Sequence, residues 1–394
     1  MNDKALGTPQ REVWVDWLRV FACLLVMVVH SSEPFYLNGY DTMILTDADL
    51  LWASAIDSAA RMSVPLFVIA SAYLLFPLRY SAGQFCRKRA IRILIPFVIW
   101  SVIYAVCHGD AWSNLKSLLL NFNFSASHLW FIYMLLGLYI MMPMLSPWAR
   151  EVGKRELTVY LGIWLLSTTL PIVRDIMTQG HVSFTFGPTF IPRQADYPLW
   201  GECSWNSNGT FYYISGCIGY LLVGLYLRRF VNDFSWKQVL MRALPLLVFG
   251  FAIIEGGFVA KALRLSDGQF PISGDWGATI WMETTWHNDT LGVALMTIGT
   301  ALMMKKIKAD GGVYRRLVMP ISKASYGMYL MHLMLLPVIS NALRQAMGMG
   351  AEGMLGCMTT PVIIMLTAIL TFSATALLSL ALQRIPVVGK YIVG

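Results

Sequence analysis

Ten apolar stretches of about 20 residues, separated by polar connections, fill the sequence and admit one kind of fold. In lipid every backbone amide must be satisfied internally, so such stretches become helices. They are read at 13 to 32, 54 to 76, 91 to 108, 128 to 146, 157 to 175, 210 to 228, 240 to 261, 282 to 304, 324 to 344 and 357 to 382. Composition agrees: 57% of the 394 residues are hydrophobic, 13% are charged, and the mean hydropathy is +0.58. A water-soluble enzyme is excluded. No low-complexity tract or soluble insert breaks the series, so the expectation is one all-α, polytopic membrane bundle over residues 1–394. The first stretch has full span length and no small-residue cleavage pattern before it, and is expected to remain as an anchor.

The formal net charge of +8 resembles that of a nucleic-acid binder until the basic residues are sorted by side. With the N-terminus inside, 22 Lys and Arg fall on inner connections and 6 on outer ones, with Arg19 and Arg61 inside spans. That asymmetry predicts an N-in, C-in topology and makes most of these charges topological; membrane lipid is an expected partner of the protein and nucleic acid is not. The cysteines show neither CxxC nor metal-ligand spacing; Cys107, Cys203 and Cys357 fall near the outer face, where one disulfide is open to them. The long outer loop, 176 to 209, is rich in aromatics, Gly and Pro, as a lid or binding element would be.

Ionisable residues inside spans are costly and point to function. In "DWLRVFACLLVMVVHSSE", Arg19 and His30 stand 11 residues apart, which puts them within about 20° of one helix face and roughly 16 Å apart along it. Asp16 lies one turn before Arg19 and Glu33 one turn after His30, so each base has an acid in reach. Asp57 and Arg61 form an i, i+4 pair in the second span. "SHLWF" sets His128 and Trp130 at the outer edge of the fourth, where Trp130 suits an aromatic belt. In "METTWHND", Glu283 and His287 would share a helical face, yet no further ligand is supplied and no metal is expected. His332 falls mid-span in the ninth, after Tyr326 and Tyr329.

Several segments, taken in order, resemble the membrane acyltransferase-3 family: "WVDWLRVFACLLVMVVH" with its Arg19 and His30, "RMSVPLFVIASAYLLF", "CRKRAIRILIPF", "HLWFIYMLLGLYIMMPML" and "ISKASYGMYLMHLMLLPV". Together they cover the chain from Trp14 to about Gln383. "NGTFYYI", with Tyr212 and Tyr213, is similar to the subgroup containing the enterobacterial common antigen O-acetyltransferase. One departure is Ala72, where the family more often has glycine.

The resemblance implies transfer of an acyl group, usually acetyl, from cytoplasmic acyl-CoA to a hydroxyl of an extracytoplasmic or lipid-linked glycan at the bacterial inner membrane. Arg87, Lys88, Arg89 and Arg92 are the expected phosphate contacts for the acetyl-CoA co-substrate. His30 is the expected general base or acyl acceptor, with Glu33 orienting it. Arg61, Tyr212, Tyr213, Tyr326 and His332 are the candidates for stabilising an oxyanion. Intramembrane Asp, Arg and His also suit a proton-coupled exporter of glycans or small acids, and a non-catalytic assembly or sensor protein would tolerate loss of His30.

Overall fold

The computed structural model describes residues 11–39, 41–177, 200–201, 206, 208–231, 234–274, 276–348, 353–386 and 389–394. Most of the 176 to 209 loop, with Cys203, lies outside them; Cys107 and Cys357 are free thiols.

The chain begins with α1 (Val13–Ser32), α2 (Asp47–Ala60), α3 (Ser63–Leu75), α4 (Ala82–Arg89) and α5 (Ile95–Cys107). Next come α6 (Ala111–Ser117), α7 (Trp130–Glu151), α8 (Lys154–Ser167), α9 (Leu170–Met177), α10 (Ile218–Phe230) and α11 (Trp236–Ser266). The remainder is α12 (Trp276–Met282), α13 (Leu291–Met304), α14 (Met319–Met347), α15 (Thr359–Gln383) and α16 (Gly389–Ile392). Three short antiparallel strands, β1 (Leu37–Asn38), β2 (Asp41–Ile44) and β3 (Ile272–Gly274), pair in that order, with Thr42 opposite Gly274. This is an all-α multi-pass bundle, in which α1 packs against α2, α3, α14 and α15.

Eight segments among the described residues are long and apolar enough to cross a membrane. The expected spans at 210 to 228 and 282 to 304 differ: their helices, α10 and α13, have only 13 and 14 residues. At 1.5 Å per residue these reach about 20 Å, short of the roughly 30 Å hydrocarbon core. The chain approaches each through a 3₁₀ turn, Gly209–Phe211 or Glu283–Trp286, and at the second of these α9, α11, α12 and α13 pack against the non-helical backbone.

A break within one span places a charge. Asp47–Leu75 is interrupted at Arg61 and Met62, between α2 and α3. Pro65 has no N–H to give the Arg61 carbonyl, so the helical ladder stops there and Arg61 becomes the C-cap of α2. The end of the bundle where α1 starts also carries α4 and Lys305 to Lys308 and is called the basic end; His30 and the strands lie towards the other, the histidine end.

Candidate active site

A cavity of about 910 Å3 opens at the basic end. Its cations are Arg11, Arg19, Arg79, Arg89, Arg92 and Lys323, against the carboxylates Glu12 and Asp16. Asp16 is already neutralised: Arg11 Nε and Nη2 donate to it at 2.5 and 2.9 Å, Tyr314 Oη at 2.7 Å and Ser322 Oγ at 2.6 Å. Asp16 is within electrostatic reach of Arg19, as the spacing predicts, but its hydrogen bonds go to Arg11, Tyr314 and Ser322, because α14, the turn before it and the residues before α1 deliver better-placed donors. Arg19 donates no hydrogen bond to any described residue, and Arg89 Nε is buried without a partner. Two guanidiniums lining one cavity with no carboxylate hydrogen-bonded to either repel each other, and a polyanion would relieve that. At depth the cavity reaches Phe131 and Tyr329.

At the histidine end, His30 Nδ1 lies 2.8 Å from Glu33 Oε1. An ionised carboxylate only accepts, so Nδ1 carries the proton and Nε2 the lone pair of the neutral ring. The His332 ring centre is 5.1 Å from that of His30, and the His128 ring centre is 4.9 Å from that of His332. Tyr329 packs on both His128 and His332, and its hydroxyl donates to the His128 carbonyl. Tyr329 thus separates the basic cavity from the histidines. His30, Glu33 and His128 line a second cavity, of about 340 Å3, with Tyr104, Ser125 and Ser340. Pro337 leaves the Leu333 carbonyl without its helical donor, and both residues line this cavity.

Residues 12–382 match the family described as the acyltransferase domain. The chain belongs to the acyltransferase-3 family. No curated protein and no solved structure matches it.

In this membrane acyltransferase the remaining polar residues divide by what they touch. Arg61 Nε and Nη2 donate to the two Asp57 oxygens at 2.6 and 2.9 Å, and Nη2 also donates to Tyr36 Oη at 3.1 Å. The guanidinium stands 4.2 Å from the Trp286 ring centre, and Trp286 is itself stacked on Phe258. Glu283 Oε1 adds a longer contact, 3.8 Å from Arg61 Nη2. Asp57 and Arg61 are therefore a locked pair beside the site, within electrostatic reach of His30 but not lining its cavity.

Other placements differ from expectation. Glu283 and His287 do not share a helical face: a 3₁₀ turn begins at Glu283 and the backbone is extended at His287, which is exposed. Arg87 and Lys88 are exposed on α4 outside the basic cavity, with Lys88 over the Tyr80 ring, whereas Arg89 and Arg92 line it. Tyr212 and Tyr213 are 49% and 88% exposed and line neither cavity, and Trp130 is exposed as a belt residue would be. Tyr326 donates to the Ile93 carbonyl and lines the basic cavity. Among the described residues no group of three or more His, Cys, Asp or Glu is arranged to hold a metal ion. Sequence reasoning passed over Arg79, Lys323, Tyr36, Tyr104 and Ser340. The first two read as topological charge, and the others carry no local signal.

Proposed function

We propose that this acyltransferase moves an acyl group, acetyl in the first instance, from cytoplasmic acyl-CoA to a hydroxyl of an extracytoplasmic or lipid-linked glycan. It would do so in the bacterial inner membrane, N-in and C-in, with the basic end towards the cytoplasm, an orientation supported by the distribution of Lys and Arg. One observation carries the reading: a cavity suited to a polyanion and a carboxylate-oriented histidine lie along the same helix, α1, and Tyr329 touches the boundary of both. Arg19, Arg89 and Arg92 would take the phosphates of coenzyme A. The pantetheine arm would follow α1 over the roughly 16 Å from Arg19 to His30, bringing the thioester past Tyr329. The similarity of "NGTFYYI" to the enterobacterial common antigen O-acetyltransferase subgroup supports acetyl as the group and a surface glycan as acceptor.

A sugar hydroxyl is a weak nucleophile at neutral pH and needs a base within hydrogen-bond reach. His30 Nε2 supplies the lone pair, and Glu33 holds Nδ1–H and steadies the imidazolium that forms. The expected result with purified protein in liposomes, labelled acetyl-CoA and candidate glycans is release of free CoA and labelled glycan. His30→Ala should lower the rate at least about 100-fold while the protein still binds acetyl-CoA. Unchanged turnover in His30→Ala would remove the mechanism, and solute transport with unmodified glycan would favour an exporter. Label retained on His30 after acid quench without acceptor would mean that the histidine carries the acyl group itself.

A further inference from the structure

The histidine-end cavity holds more uncommitted polar atoms than proton transfer uses. Both ring nitrogens of His128 are buried without a hydrogen-bond partner, as are His332 Nε2 and the hydroxyls of Ser125 and Ser340. His128 is 3% exposed and Ser340 1%, and both line the cavity with Ser125. Buried polar groups are nearly always paired, so such a concentration beside a cavity marks a place for a polar ligand.

The three imidazoles can be told apart by what each N–H already does. In His30 the proton sits on Nδ1 and is held by Glu33. In His332, Nδ1 is 2.6 Å from the Tyr329 carbonyl oxygen, which can only accept, so Nδ1 carries the proton and Nε2 offers only a lone pair. Neither neutral ring has a donor left. His128 as a neutral ring has one N–H that no described residue accepts with good hydrogen-bond geometry; the nearby Leu330 carbonyl already takes the Tyr104 hydroxyl. The other proposed donors are committed or distant: Arg61 is held by Asp57 and Tyr36, Tyr326 donates to Ile93, and Tyr212 and Tyr213 line neither cavity.

Resting on the acyl-transfer reading, we infer that His128 is a further catalytic residue, whose N–H binds the thioester carbonyl oxygen as negative charge develops on it. The acceptor oxygen bonds to the carbonyl carbon while its proton passes to His30 Nε2. The carbonyl oxygen becomes an alkoxide held by the His128 N–H. Collapse restores the C=O bond and breaks the C–S bond, and the CoA thiolate leaves as the thiol with the proton returned by His30. No proton or electron is gained or lost. A neutral imidazole suits this role, because it donates without competing with His30 for the proton. Ser125 and Ser340 remain for the acceptor's neighbouring hydroxyls.

The test is steady-state kinetics on the full chain in liposomes, with binding of S-ethyl-CoA, a thioether lacking the carbonyl oxygen, measured alongside. His128→Ala should lower kcat about 100- to 1,000-fold. The KM for acetyl-CoA, the S-ethyl-CoA affinity and the melting temperature should stay near those of the wild type. His128→Gln, which keeps an N–H in a side chain of similar reach, should recover part of the loss and guards against a misfolded alanine variant. Wild-type kcat in His128→Ala, or a loss matched by weaker S-ethyl-CoA binding in both variants, overturns the assignment. If His30→Ala is inactive and His128→Ala is not, only this inference falls. If the wild-type protein releases no CoA with any acceptor, the acyltransferase chemistry falls and His128 with it.

Discussion

Asp16 and Arg19 stand one helical turn apart on α1, yet they do different work. Asp16 receives four hydrogen bonds from three side chains, Arg11, Tyr314 and Ser322, and ties α14 and the residues before α1 to the start of the helix. Arg19 has no such partner and faces the basic cavity. Removing the carboxylate leaves a guanidinium and two hydroxyls without their shared acceptor. Asp16→Ala should therefore cost about 3 kcal/mol, at the lower end for a broken buried charge pair because Arg11 is partly exposed. Asp16→Asn, which keeps one oxygen, should cost less. Thermal unfolding in nanodiscs measures both, and an undisturbed melting temperature in Asp16→Ala would return Asp16 to the list of chemical groups.

At the scale of elements, close approach depends on where small residues fall. Ala72 puts a methyl group on α3 where α10 comes close, and the facing helix supplies the space: a Cβ on Gly224 of α10 would lie 2.5 Å from the Ala72 Cβ and 3.0 Å from the Ile69 carbonyl oxygen. The gap at the contact of α3 and α10 is thus kept from the opposite side, as small-residue packing in membranes requires. Gly224→Val should separate the two helices and destabilise the protein by about 1–3 kcal/mol. A double variant with Ala72→Gly should recover part of that, because the two sites share one contact. A Gly224→Val protein that melts with the wild type would show that the interface can yield. Pro65 acts at the same scale: the sequence reads as one span from 54 to 76, and the break at Arg61 appears only in the structure. Of the groups that hold Arg61 there, Asp57, Tyr36 and Trp286, only the i, i+4 neighbour Asp57 was legible.

Across the whole molecule, Tyr329 lines the cationic cavity and packs on His128 of the histidine cavity, so in the proposed reaction donor and acceptor would approach from opposite ends of the bundle. The donor end makes a discriminating prediction, because the basic run on α4 is split by its helical face. Arg89 lines the cavity and Arg87 does not. Arg89→Ala should weaken acyl-CoA binding about 10- to 100-fold, the value of one or two charge-assisted hydrogen bonds. Arg87→Ala should change it by less than about threefold, as an exposed charge does. Calorimetric titration with acetyl-CoA measures both, and equal effects would mean that the run acts only as a field of charge.

The sequence by itself determined the solvent, the helical class, the family and the face of α1 on which Arg19 and His30 lie, because these follow from apolar length, local periodicity and contiguous motifs. The tertiary structure decided which polar groups are satisfied and which are left over. Asp16 finds Tyr314 and Ser322 at separations of 298 and 306 residues, and His128 meets His332 across two different spans. Helical spacing could not reveal either, since it ranks neighbours only along one helix. Glu283 was misplaced for a related reason: a helical repeat was assumed where the chain makes a 3₁₀ turn to enter the bundle. In lipid a polar side chain must find its partner within the protein, so its role is set by packing between spans as much as by its own helix.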